Sequence, residues 1–522
     1  MFRNFMQIML VLALASAAAI SSWSEEPKKD SKPKEPEKMD MTDQFKEWNS
    51  DKFNSPPTEF RQGHVTPRDL DAKAVTTTEV GFTIQLPSKA PVPTPSVYKG
   101  KVYASGGFHS KEFYCFDAET GKLVWAKNLD DDGPTAAACE DGVIVFNTES
   151  CTLFALEADT GKQLWSLWLG DPLTSTPTIA NGKVFTSYPA AGRGGQIPNQ
   201  APNAPPNGKK QPQANKGNPP CSHVLAAFDL KTGKILWQRW LDSDVMSAPV
   251  AVDKELYASS FSGVVYKLNQ EDGSIISATK CRATSAPVVV GKNVYMTRRA
   301  DDGKGKVEES IARQDGASNT IVAESEKKDA PHLDDKVQDQ SKLKAAGGAL
   351  DAGNGFAGGA PQTANAPAAW KNIGQSNVST MQAFQGSRIL NYDGRNYNCM
   401  GDECVCTDPT SGKELWKFKL DGDLKKEGGF LAAPPAEAGG ELFLSTLNGE
   451  ILRVDPKTGK VTQKYKVGSQ LRFQPAVENG KIYVGTQDGK VVCIDTGDKK
   501  YTGWPCWGAN AAHTGVPQGE KK

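Results

Sequence analysis

The sequence predicts an all-β fold, an eight-bladed β-propeller of four-stranded antiparallel blades. Three observations predict it. A nine-residue motif recurs in a forty-residue frame, short alternating strands flank each copy, and a proline signature opens each unit. Repetition at that period is the mark of units that bury their faces only by stacking on one another.

The motif first runs Asp117-Ala-Glu-Thr-Gly-Lys-Leu-Val-Trp125. It returns as Glu157-Ala-Asp-Thr-Gly-Lys-Gln-Leu-Trp165, Asp229-Leu-Lys-Thr-Gly-Lys-Ile-Leu-Trp237 and Asp408-Pro-Thr-Ser-Gly-Lys-Glu-Leu-Trp416. Gly121 and Gly161 stand 40 residues apart, as do Gly233 and Gly273. Asn269 to Gly273 begins a copy without the Trp, Asp455 to Gly459 leads to Gln463 in its place, and Asp495-Thr-Gly497 is followed late by Trp504. A weaker copy lies near Asp315-Gly316. The x-Thr-Gly-Lys piece reads as a hairpin turn in which Gly121, Gly161, Gly233 and Gly412 take the positive φ that a Cβ would disfavour. The leading Asp or Glu bonds the turn's own amides, and the Lys is a solvated turn residue.

A small residue and Pro open the units, as in Thr94-Pro-Ser-Val97, Ser175-Thr-Pro-Thr178, Ser247-Ala-Pro-Val250, Ser285-Ala-Pro-Val288 and Phe473-Gln-Pro-Ala476. Units start near Thr94, Gly133, Thr174, Met246, Thr284, Val378, Phe430 and Arg472. With two insertions removed, the spacing averages ~42 residues, the propeller period. The strand Val80 to Leu86 precedes the first unit and is expected to complete the last blade and close the ring. A seven-bladed ring is the alternative, because the fifth unit is weak.

The remaining segments divide as follows. Residues 1–22 read as a signal peptide, with Arg3, an apolar stretch from Met6 to Ile20 and small residues Ala15, Ala17 and Ala19; an uncleaved anchor helix is the alternative. Residues 23–77 read as a charged, disordered spacer, with one short helix around Asp43 to Trp48. The propeller occupies 78–507, with insertions at 190–220 and 334–376, and 508–522 is a C-terminal tail. The first insertion carries seven Pro, five Gly and no aromatic residue. The second is Gly/Ala-rich, with Phe356 and Trp370 as its packing candidates.

Composition excludes two function classes. There are 61 Lys+Arg and 61 Asp+Glu, so the chain lacks the positive excess a general nucleic-acid binder needs. Mean hydropathy is −0.49, which excludes a multi-span membrane protein. Ten cysteines in an exported chain permit disulfides. The local candidate is Cys399 with Cys404 or Cys406. A metal site there is the sharper alternative, but no His lies nearby. Cys115 and Cys493 sit in alternating strands, where a buried thiol is the plain reading. The first cysteine is Cys115, so no lipoprotein anchor is expected.

The D-x-x-T-G-K-x-x-W hairpin resembles the tryptophan-docking repeat of PQQ-type β-propellers, over residues 80–507. That resemblance implies that Trp125, Trp165, Trp237 and Trp416 wedge between adjacent blades. The terminal Gly503-Trp-Pro-Cys-Trp-Gly-Ala-Asn-Ala-Ala-His-Thr-Gly515 is similar to a segment of the same proteins, with His513 a strand-end contact rather than a ligand. The family includes quinoprotein dehydrogenases, which bind pyrroloquinoline quinone and calcium at the propeller axis beneath a disulfide of adjacent cysteines. It also includes non-enzymatic scaffolds of the outer-membrane barrel-assembly machinery. This chain has no Cys-Cys pair, and no spacing picks out carboxylates such as Asp393 or Asp402 as calcium ligands.

The expected function is therefore an exported, non-catalytic binding or scaffolding module, periplasmic or extracellular, monomeric, with a protein or cell-envelope partner. The alternative is a quinone- and calcium-dependent dehydrogenase. No cofactor is expected, and pyrroloquinoline quinone with calcium is the only candidate. No catalytic residue is singled out. The insertions and the hairpin Asn391 to Tyr397 are the loops that stand out, and a saccharide or small molecule in the central funnel is a third possibility.

Overall fold

The computed structural model describes residues 40–50, 60, 62–148, 152–169, 176–189, 223–243, 245, 247–260, 262–301, 307–329, 386–424 and 430–517. The signal segment, the two insertions with Phe356 and Trp370, and Cys151 and Cys221 lie outside them.

Turn chemistry builds the blades. Asp117 accepts from the Thr120 amide and hydroxyl at 2.9 and 2.7 Å, and Asp229 repeats this with Thr232 at 2.8 and 2.6 Å. Asp408 does so with Ser411. The Thr120 and Thr232 hydroxyls and the Ser411 amide hold these three carboxyls below the usual range. Gly121, Gly161, Gly233 and Gly412 have φ of 69, 64, 69 and 74°. In the weak fifth unit Asn319, at φ 56°, takes the glycine's place and bonds back to Asp315. Asn tolerates that conformation better than most residues do, so the turn survives without Gly.

Eight antiparallel sheets result. Seven are consecutive in sequence: 96–129, 138–168, 178–241, 250–280, 288–324, 390–419 and 436–466. The eighth combines 476–495 with the strand Gly81–Gln85, which pairs antiparallel with Lys490–Asp495. This is the ring closure expected of the strand around Val80 to Leu86.

The first strands of neighbouring blades approach one another at every seam but that between blades 4 and 5, so they form the inner wall of the ring and the fourth strands its outer edge. Small polar side chains tie the inner wall together. Thr94 Oγ1 donates to the Gln474 carbonyl at 2.8 Å, Ser96 Oγ to Ala137 at 2.5 Å, and Ser247 Oγ accepts from the Ala286 amide at 2.8 Å.

The described residues between 40 and 78, read from sequence as part of a disordered spacer, pack against the outer edges. The helix Thr42–Trp48 buries Phe45 and Trp48. The Phe45 ring meets Tyr266 of blade 4 edge-on at 4.8 Å. The Asn49 side chain copies a strand: its Nδ2 donates to the Trp240 carbonyl and its Oδ1 accepts from the Trp240 N–H. The carbonyl of Gly63 takes Gln163 and Ser166 of blade 2. Val65–Arg68 then adds a fifth strand to blade 1, and Val75–Thr78 adds one to blade 8. A few apolar anchors and two Thr/Val runs fix the segment, a signal that its average charge conceals.

Phe82 is 2% exposed and lies opposite Cys493, the register place that Trp125 holds opposite Cys115. Phe82→Ala should therefore lower stability by about 3–5 kcal/mol in urea unfolding, as for other large-to-small core changes. A loss under about 1 kcal/mol would show that closure does not depend on this ring.

Candidate functional site

The sequence-derived repeat residues meet across blade seams. Trp125 Nε1 donates to Ala158, Trp165 to Leu230, Trp237 to Gln270 and Trp416 to Pro456, all carbonyls of the next blade, at 2.9–3.0 Å. Each indole also covers the next blade's turn glycine. A Cβ built on Gly161 would lie 2.8 Å from Trp125, on Gly233 2.6 Å from Trp165, on Gly273 2.5 Å from Trp237, and on Gly459 2.6 Å from Trp416. Gly121 is covered by Phe82 and Gly412 by the backbone at Glu324. Trp504 is not the eighth blade's docking residue. That blade's outer strand comes from the amino terminus, so Phe82 serves instead.

The seam between blades 5 and 6 has Ala323 at the Trp position and is held by charge. Lys328 reaches Glu414, Glu403 and Glu326 at 2.8, 2.9 and 3.2 Å. Burial opposes its charge, but the carboxylates prevail and its pKa is raised. Arg388 holds both oxygens of Glu309 at 3.0 and 2.8 Å, donates to the Cys399 carbonyl, and lies 3.5 Å over the Phe430 ring centroid. Arg388 and Phe430, with Arg472, line a shallow cleft.

The sequence expectation set Cys399 against Cys404 or Cys406. In the sheet, Cys399 lies directly opposite Cys404, while Cys406 lies opposite Tyr397. All three are buried free thiols, and burial raises Cys406 to about 12.

The ring's centre is the most distinctive site. The segment after Trp504 touches inner strands on opposite sides of the ring. Trp504 exchanges two bonds with Val477 of blade 8, and the Val97 amide of blade 1 donates to Pro505. Ile179 of blade 3 donates to Ala511, Ala251 of blade 4 to Ala512, and Asn391 of blade 6 to Gly515, at 2.8–3.1 Å. One short segment bonded to blades 8, 1, 3, 4 and 6 must cross the axis. Trp504, Trp507, Ala509 and His513 are at most 1% exposed. Residues 508–517, set apart by the sequence reading as a tail, thus supply acceptors to inner-edge amides that have no fifth strand.

Gln474 anchors this segment. Its Oε1 accepts from Trp504 Nε1 and the Gly508 amide, both at 3.0 Å, and its Nε2 donates to Pro434 and Pro435. The sequence held a signal for it. Gln474 precedes Pro475 where other units carry Thr94, Thr176, Ala248 or Ala286. His513 is a contact residue, with Nδ1 2.8 Å from the Trp507 carbonyl and Nε2 3.1 Å from that of Pro177. Burial lowers its pKa, although both carbonyls favour the proton.

A quinone and calcium site of the kind the resemblance implies does not fit these residues. The chain's own segment crosses the axis. Asp393 and Asp402 sit in the turns at opposite ends of the strand Arg395–Met400, about 20 Å apart at strand rise. Among the described residues, no three His, Cys, Asp or Glu side chains are grouped to hold a metal ion.

Two outcomes test this geometry. Gly233→Ala should cost more than about 1 kcal/mol in urea unfolding. Gly142→Ala, also at positive φ but with nothing within 4 Å of the built Cβ, should cost less. Equal losses would mean the indole contact carries no weight. Acidification should also loosen the fold through its buried histidines. His513 and His223 have folded pKa values below the unfolded 6.5, with His223 pushed down to about 3 by burial. Their stability is complete above pH ~6.5 and is lost as pH falls toward the folded values, about 2 kcal/mol for His223 between pH 7 and 5. His513→Gln should flatten the fall in Tm over that range, and an unchanged slope would contradict this.

Comparison with known proteins follows the same outline. A family model described as outer membrane protein assembly factor BamB matches residues 88–195, 221–353 and 401–505. The outer membrane protein assembly factor BamB of Nitrosomonas eutropha is 23% identical over 227 residues, 40% of this chain and 47% of that one. Quinoprotein alcohol dehydrogenase PedH of Pseudomonas putida is 31% identical over 129 residues, 22% of this chain and 21% of that one. The chain spans about half or less of the length of these curated relatives. The crystal structure of BamB from Moraxella catarrhalis superimposes with a TM-score of 0.48 at 15% identity, covering 81% of this chain and 99% of that one. Because the family model matches more than half of the chain, on the residues that build the blades, this chain belongs to the propeller family described as outer membrane protein assembly factor BamB.

Proposed function

We propose that this protein is an exported, non-catalytic binding or scaffolding module of the cell envelope. The observation that carries the reading is the segment Trp504 to Gly515, which fills the ring's centre with the chain's own backbone. A propeller filled in this way presents its turns and outer edges, which suit a protein partner better than a small substrate. Membership in a family described by an assembly factor supports the same reading. Residues 1–22 act as a cleaved signal peptide, and the mature chain works in the periplasm or outside the cell as a monomer without a lipid anchor. Among the described residues, no helix is long and apolar enough to cross a membrane. In that oxidising setting Cys399 and Cys404, as register partners, are the pair that would form a disulfide.

The second reading, a quinone- and calcium-dependent dehydrogenase, draws on the 31% identity to PedH over 129 residues. One experiment separates the two. Calorimetric titration of the purified protein with pyrroloquinoline quinone and calcium should give no stoichiometric heat. A dye-linked assay with ethanol should then show no turnover. Stoichiometric binding with turnover would overturn the module reading.

A further inference from the structure

The outer rim of the ring is unevenly covered. The segment 40–78 visits blades in reverse order: Asp40 and Met41 bond the outer strand of blade 4, Asn49 that of blade 3, Gly63 that of blade 2, Val65–Arg68 that of blade 1, and Val75–Thr78 that of blade 8. The outer strands of these blades each contain at least two buried residues. Those of blades 5, 6 and 7, Ile321–Glu324, Glu414–Lys419 and Val461–Lys466, contain none. Each of the three ends its sheet, with no further strand beside it among the described residues.

The edges of blades 6 and 7 also share a chemical pattern. Counted from the docking position (Trp416 in blade 6, Gln463 in blade 7), Lys417 matches Lys464 and Lys419 matches Lys466. Lys417, Lys419 and Lys464 are 42, 78 and 52% exposed. Their own-blade partners are loose: Glu403 and Glu414 at 3.6 and 3.4 Å for Lys417, Asp402 at 3.2 Å for Lys419, and Glu450 at 3.5 Å for Lys464. A half-buried aromatic ring stands between the two lysines of each strand, Phe418 in blade 6 and Tyr465 in blade 7, and the exposed Leu415 shares the face of Lys417 and Lys419.

From this we propose that the outer edges of blades 6 and 7 dock an extended acidic segment of a partner protein by strand addition. The inference rests on the reading of the protein as a binding module. The same chain already lays extended backbone on the neighbouring outer edges, so the rim's geometry accepts an added strand. Open edge N–H and C=O groups supply the pairing, and alternating lysines select carboxylates. A second copy of this chain is disfavoured as occupant, because pairing like edges sets lysine against lysine.

The test uses the full chain and a fluorescein-labelled (Glu-Val)5 peptide, read by anisotropy. The peptide should bind, and binding should weaken about fivefold when salt rises from about 50 to about 300 mM. Lys464→Glu with Lys466→Glu should also weaken it about fivefold or more, with Tm unchanged. A photo-crosslinking version should label 414–419 or 461–466 without any variant being made. Failure to bind overturns the proposal. So do equal binding of (Glu-Pro)5, which keeps the charge but lacks half the donors, equal binding of (Lys-Val)5, or a dimer in ultracentrifugation that these substitutions dissolve. Quinone turnover in the titration above would instead strike the module reading, so the two failures are told apart.

Discussion

Everything in this protein depends on the seam between blades. A four-stranded sheet of this size is apolar on both faces and has no core of its own. The repeat meets that need with one paired device: an indole on the outer strand and a bare glycine on the next blade's turn. The glycine serves twice, since the turn requires positive φ and the indole requires the absence of a Cβ. The indole N–H is satisfied by the carbonyl three residues before that glycine, so burying the ring leaves no orphan donor.

Seams without the indole show what the device replaces. Phe82 supplies the ring from the far end of the chain. Between blades 5 and 6 the apolar wedge gives way to the half-buried Lys328 carboxylate cluster and the buried Arg388–Glu309 pair, both heavily partnered. Buried ion pairs contribute less net stability than their contacts suggest, but losing one partner strands a charge and is costly. That seam is therefore specific in register and sensitive to single substitutions, and it borders the blades whose outer edges stay open.

Closing a ring settles the faces of the sheets but not their edges. Each sheet still exposes an inner and an outer strand. The carboxyl-terminal segment bonds five inner edges by crossing the axis, and the amino-terminal segment bonds five outer edges along the rim. Both lie in stretches that carry no repeat, and both work through backbone pairing more than through side chains. Their chemistry is legible only in part: Gln474 stands out as a large amide in a column of small residues, while Asn49 looks ordinary until it faces Trp240.

The sequence by itself determined the blade. Asp, Thr and Gly in the turn, alternating strands, the Pro-led opening and the forty-residue frame are local, and local hydrogen bonding and φ preferences hold the turn even where Asn319 replaces the glycine. Their number also set the blade count, and the unpaired strand near Val80 announced the closure. Only the tertiary structure decided which residue plays the eighth wedge, that Cys399 faces Cys404 rather than Cys406, that the terminal segment fills the axis, and which outer edges remain bare. These are contacts across up to hundreds of residues, made by segments that occur once. Without periodicity, nothing in their local sequence says what they will touch.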